Sequence, residues 1–156
     1  VRNAFWPARL QPLRDGKLPS LLPSGSELWL DGSHNADGGR VTAAAIAEME
    51  EQNPRPLVLV VGMKATKDAR AFLDAFEDLT REVIALPVVS DMVTRTAHDI
   101  AVIADAIGFQ STTATNIADA LRQIAARSWM RPPRVLVTGS LYLAGEVLAD
   151  NGTPPS

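Results

Sequence analysis

Two hydrophobic periods alternate along this chain, and their order predicts strands separated by single helices. Pro7, Pro12, Pro19 and Pro23 punctuate an irregular opening, in which Ala8 to Leu13 is predicted to form a short edge strand turning at Asp15-Gly16. Glu27 to Leu30 reads as the first firm strand. A helix is predicted from about Ala36 to Gln52, with Val41, Ala45 and Met49 on its apolar face, ending at Asn53-Pro54-Arg55-Pro56. Leu57 to Val61 has no polar break, the mark of a strand covered on both faces, as in parallel sheets. Phe72, Leu73, Phe76 and Leu79 have helical spacing, and Glu82 to Leu86 is a strand stopped by Pro87. Ile100, Ile103, Ala104 and Ile107 form the next helical stripe, closed by Gly108 where a left-handed C′ residue belongs. Phe109 to Thr112 is a weaker strand. Thr115 or Asn116 caps a helix carrying Ile117, Leu121, Ile124 and Ala125. Arg134 to Val137 is the last strand, Leu141 to about Ala149 the last helix, and Asn151 to Ser156 a frayed tail.

Strands linked by single helices favour right-handed crossovers, so the predicted fold is α/β: a Rossmann-like three-layer domain with a mostly parallel sheet. Such sheets bind ligands beyond the carboxyl ends of their strands. Three strand ends carry polar chemistry: Asp31 to Asn35, Gly62 to Asp68, and Thr138 to Ser140. Asp31 suits a pair of sugar hydroxyls, and His34 suits an anion or a proton. Asn35 is a natural N-cap for the helix that follows. Lys64 and Lys67, ahead of a helix start, suit a carboxylate or phosphate. Ser140 is a cap, a donor to a ligand carboxylate, or both. The competing reading is structural: a capped polar turn, two solvated lysines, and Asp68 favouring a first helical turn.

Composition narrows the chemistry. With 156 residues, 46% hydrophobic and only 5% aromatic, the chain suits a single domain whose core is built from Ala, Val, Leu and Ile. A net charge of −3 without a run of like charges argues against nucleic-acid or anionic-membrane partners. No apolar run is longer than Leu57 to Val61, far short of a bilayer span, so a soluble protein is expected. The chain lacks cysteine, and so lacks disulfides, thiolate metal ligands and a thiol nucleophile. It begins without Met or a signal-peptide pattern and reads as a piece of a longer protein. It has no G-x-G-x-x-G, no P-loop and no G-x-S-x-G elbow. His98, beside Asp99 at a helix start, reads as a surface residue, and no histidine–carboxylate cluster has metal-ligand spacing.

Trp6-Pro7-Ala8-Arg9-Leu10-Gln11, Leu30-Asp31-Gly32-Ser33-His34-Asn35, Val60-Val61-Gly62-Met63 with Lys67-Asp68, and Gly139-Ser140-Leu141-Tyr142-Leu143-Ala144-Gly145-Glu146-Val147-Leu148 occur in that order. Together they resemble the C-terminal domain of the folylpolyglutamate synthase / dihydrofolate synthase family, relatives of the Mur ligases. Ala8 stands where the family usually has glycine, and Ser33 where it has alanine or glycine. The resemblance implies a cytoplasmic, ATP-dependent amide ligase adding L-glutamate to dihydropteroate or folate through an acyl phosphate. In the family the P-loop, most of the Mg²⁺ site and the pterin pocket belong to an N-terminal domain. On this reading residues 1–26 are hinge-proximal, 27–150 form the ligase C-terminal domain and 151–156 the tail. Matched positions put Arg9 and Asp31 on ATP, and His34 and Ser140 near glutamate, with His34 also in a catalytic role. Asn35, Lys64, Lys67 and Asp68 are further candidates, and Trp6 would pack the hinge. Two alternatives remain, a Mur-type peptidoglycan ligase domain and a non-enzymatic binding domain of this fold.

Overall fold

A computed structural model describes residues 10–65, 67–88 and 96–152. In chain order the elements are β1 (Gln11–Pro12), a 3₁₀ turn (Pro19–Leu21), β2 (Glu27–Leu30), α1 (Ala36–Gln52), β3 (Leu57–Val61), α2 (Ala69–Asp74), β4 (Glu82–Ala85), α3 (Ala97–Ile107), β5 (Gln110–Thr113), α4 (Ile117–Ala125), β6 (Arg134–Thr138) and α5 (Leu141–Asn151). The six strands form one sheet in the order β1-β2-β6-β3-β4-β5; β1 is antiparallel to β2 and every other pairing is parallel. β6, last in sequence, inserts between β2 and β3, which brings three loops to adjacent positions at one end of the sheet.

Alternation along the central strands divides the core in two. Val58, Val60, Val135 and Val137 face α4 and α5, where Leu121, Ile124, Leu143 and Val147 complete one cluster. Leu57, Leu59, Val61 and Leu136 face the other way, onto Ile46 of α1, Phe72 and Leu73 of α2, and Ile100 and Ala104 of α3. The domain therefore has the expected three layers. Each fully buried Val, Leu or Phe contributes about 1.5–3 kcal/mol by leaving water.

Local chemistry sets most element ends. Asn35, Asp68, Thr96, Asn116 and Ser140 each accept a first-turn backbone N–H, and Gly108 closes α3 at φ 107°. Asn116, rather than Thr115, is thus the cap of α4. α2 stops short of the expected Leu79, because the chain tightens into i→i−3 bonds such as Phe76 N–H to Leu73 O (3.0 Å) and Leu79 N–H to Phe76 O (3.0 Å). Those turns keep the helical spacing of the apolar residues without continuing the α-helix. The buried face of α1 also differs from expectation. Val41 is 72% exposed, and the face turned inward is Gly39, Thr42, Ala43 and Ile46. Small residues win there because Phe72 packs close: a Cβ on Gly39 would lie 3.2 Å from its ring.

Asn151, expected in a frayed tail, is the last residue of α5 and is buried. Its side chain accepts from Leu18 N–H (2.8 Å) and donates to the Asp15 carbonyl (2.9 Å), tying the opening segment to the end of α5. At the amino ends of the strands, buried Arg134 donates to Glu27 Oε1 (2.7 Å), to Glu50 and to the Asn53 carbonyl (3.1 Å). Arg55 Nε adds a second charge 3.2 Å from Glu27 Oε2, within ion-pair distance but without hydrogen-bond geometry. Burial would raise the Glu27 pKa, but hydrogen bonds from Arg134 and Trp29 and the charges of Arg134 and Arg55 outweigh it and hold the carboxyl below its ordinary value.

The sheet margin at β5 has a distinct construction. Gln110 and Ala114 donate inward to Arg81 and Ala85, so Ser111 and Thr113 turn their backbone groups outward. Asp105 accepts the Ser111 N–H (3.2 Å), and Gln123 donates to the Thr113 carbonyl (3.0 Å).

Candidate functional site

β2, β6 and β3 are neighbours, so their carboxyl-terminal loops meet. The join is backbone to backbone: Gly139 N–H donates to the Ser33 carbonyl (3.0 Å), and Gly62 N–H to the Thr138 carbonyl (3.3 Å). Gly139 is at φ +112°, and a Cβ there would lie 2.5 Å from the Gly62 carbonyl oxygen. Glycine is required on both counts.

Asp31 is only 5% exposed and lies beneath this junction. Its Oδ2 accepts from Ser33 N–H (2.9 Å), Thr42 Oγ1 (3.0 Å) and Thr138 Oγ1 (3.4 Å), and its Oδ1 accepts from Leu10 N–H (2.9 Å). The carboxylate therefore joins β2, α1, β6 and the segment that follows Arg9. Arg9 itself, like Trp6, lies outside the described residues.

Above the junction, His34, Lys64, Lys67, Gly139, Ser140, Leu141 and Tyr142 line a cavity of about 80 Å³. Four expected site residues, His34, Lys64, Lys67 and Ser140, meet here. His34 Nδ1 is buried and has no hydrogen-bond partner among the described residues. A buried, unsatisfied polar atom costs about 1–3 kcal/mol, so this one would gain from a water or a ligand group in the cavity. Ser140 Oγ accepts from Tyr142 N–H (3.0 Å) and Leu143 N–H (3.3 Å), which leaves its proton to donate. The Lys64 ammonium sits 4.3 Å from the centroid of the Tyr142 ring.

Asn35 and Asp68 stand apart from the cavity wall. Each caps its helix, through Gly38 N–H (2.8 Å) and Ala71 N–H (3.0 Å) respectively. His98 is exposed, and no group of His, Asp or Glu among the described residues could hold a metal ion. No helix among them is long and apolar enough to cross a membrane. Sequence reasoning passed over three contributors: Gly139 as a point of close backbone approach, Thr42 as a donor to Asp31, and Tyr142. The last had a signal, since it is the chain's sole tyrosine and stands two residues after Ser140. Two larger clefts, of about 320 and 350 Å³, open beside Glu82 and Arg127 and beside Glu27 and Arg14. Both adjoin the amino ends of strands, away from the meeting of the three loops.

The mostly parallel sheet covered by helices on both faces, with a small cationic cavity at its converging strand ends, is an α/β domain of the doubly wound class. The profile of the family "Dihydrofolate synthetase, C-terminal domain" matches residues 17–150, and the chain belongs to that family. No curated protein matches it. Among solved structures, it is similar to Mycobacterium tuberculosis folylpolyglutamate synthase complexed with ADP and AMPPCP (TM-score 0.73, 23% identity, 97% of this chain and 34% of that one). It is also similar to the bifunctional folylpolyglutamate synthase/dihydrofolate synthase of Yersinia pestis complexed with AMPPNP and Mn (TM-score 0.72, 21% identity, 94% and 31%). A bifunctional synthase with Mn, AMPPNP and L-glutamate bound aligns as well (TM-score 0.71, 21% identity, 94% and 32%). The chain spans about a third of the length of these solved chains.

Proposed function

We propose that this domain forms the glutamate-side wall of an ATP-dependent carboxylate–amine ligase that extends dihydropteroate or a folate. The observation carrying this reading is the cavity in which His34 Nδ1, the Ser140 hydroxyl and two lysines converge, with no carboxylate among the described residues that line it. That donor set suits the carboxylates of an amino acid. Its volume of about 80 Å³ falls well below the roughly 300–1,000 Å³ of a complete small-molecule site, so it is a subsite that needs an opposing wall. The solved relatives, three times as long and complexed with nucleotide, Mn or L-glutamate, support such an arrangement. A cytoplasmic location accords with the same reading.

In the proposed reaction the acceptor carboxylate attacks the γ-phosphorus of ATP, ADP leaves, and the glutamate amine then attacks the acyl phosphate to expel inorganic phosphate. His34 and Ser140 would orient glutamate for that attack, and His34 would take a proton from the amine. Asp31, buried and bonded on both oxygens, would act on the nucleotide indirectly: its bond to Leu10 N–H would set the approach of Arg9 to the phosphates. The metal ion would be held chiefly by the opposing domain. The chain alone would accordingly turn over no ATP.

The test uses the polypeptide carrying both domains. His34→Ala should raise the KM for L-glutamate or lower kcat by about 10- to 150-fold, equivalent to about 1.5–3 kcal/mol, with the KM for ATP kept. A loss of melting temperature with unchanged kinetics would make the turn purely structural and defeat the reading.

A further inference from the structure

Lys64 is a cation of the cavity wall whose position has a visible physical cause. It follows the β3 strand end, while Tyr142 lies in the first turn of α5, held there by the Ser140 cap. The ammonium rests 4.3 Å from the ring centroid, within the range in which the negative face of the ring attracts it. A ring differs from a carboxylate as a partner: it orders the lysine without neutralising its charge and without occupying all its N–H donors. The flexible four-carbon stem is thereby biased toward the cavity before a ligand arrives, and the charge remains available there. Asp68, the nearest acid in sequence, is turned away to cap α2.

We propose that Tyr142 is a positioning residue that holds Lys64 as a specificity determinant, reading the side-chain carboxylate of a dicarboxylic amino acid. This inference rests on the glutamate-side reading above. It adds that discrimination between glutamate and its uncharged isostere, glutamine, resides in the Lys64–Tyr142 pair.

The experiment titrates the polypeptide carrying both domains, in which the subsite has its opposing wall, with L-glutamate and with L-glutamine by calorimetry. Wild type should bind glutamate several-fold more tightly than glutamine. Lys64→Gln should bring that ratio to about one. Tyr142→Leu should reduce it by about two- to fivefold, the fold-change of an exposed cation–π contact, and Tyr142→Phe should restore it because the ring face is retained. Unchanged melting temperatures separate these effects from a folding defect. An undiminished ratio in Lys64→Gln, or an equal loss in Tyr142→Phe and Tyr142→Leu, overturns this proposal while leaving the glutamate-side reading intact. If the wild type binds neither amino acid the glutamate-side reading fails, whereas equal binding of the two overturns this proposal alone.

Discussion

Replacing Gly139 by alanine tests the junction on which the site rests, and two other glycines calibrate it. Gly108 is at φ +107° with nothing within 4 Å of the point where a Cβ would stand, so Gly108→Ala isolates the cost of left-handed backbone. That cost is about 1–2 kcal/mol. Gly139 has a similar φ of +112° but adds contacts at 2.5 Å to the Gly62 carbonyl, 3.0 Å to Met63 Cγ and 3.1 Å to Val61 Cγ1. The first is backbone in an adjacent, buried strand end, so relief requires β3 and β6 to separate, at about 1–3 kcal/mol more. Gly139→Ala should therefore cost about 2–5 kcal/mol, which for a domain of this size lowers Tm by about 4–20 °C. Gly145, exposed within α5 and unhindered, should gain about 0.5–1 kcal/mol as alanine. Calorimetry of the three variants under one buffer gives the comparison. If Gly139→Ala melts no lower than Gly108→Ala, the close approach of the two strand ends does not exist as described, and the cavity geometry built on it is wrong.

Glu27 should give the acid limb of stability a recognisable sign. Its folded pKa is depressed, so the unfolded chain binds more protons between the folded and ordinary values; the stabilisation is full above the ordinary carboxylate range and is lost as pH falls through the folded value. Denaturant titrations at stepped pH should show a shallower acid slope in Glu27→Gln than in wild type, and parallel slopes would exclude the Arg134 cluster as its source. Asn151→Ala should cost about 1–3 kcal/mol, because Leu18 N–H and the Asp15 carbonyl lose their buried partner. Wild-type stability in that variant would show that the opening segment is not tied to α5.

The strands and helix starts were legible because their causes are local. The apolar run Leu57–Val61 could only be a covered strand, and Asn35, Asn116 and Gly108 announce caps by residue type. Face assignments depended on tertiary contacts that periodicity does not contain. Thr42 is buried because Asp31 needs its hydroxyl, and Val41 is exposed because the small side of α1 meets Phe72. The convergence of three loops followed from the α/β rule, but the insertion of β6 between β2 and β3, which makes them adjacent, is a property of strand order alone. Arg134 read as the polar start of an apolar strand; its acidic partners, Glu27 and Glu50, are far away in sequence.

The margin of the sheet at β5 bears on how the protein behaves in a crowd. An edge strand with free outward amides and carbonyls is a template on which another chain can crystallise into a shared sheet. Here Asp105 and Gln123, on the two helices flanking that edge, occupy the Ser111 amide and the Thr113 carbonyl. At the opposite margin β1 is only two residues long, and one of them, Pro12, has no amide to offer. Among the described residues, both margins of the sheet therefore offer little free backbone for another strand to pair with, which disfavours edge-to-edge aggregation.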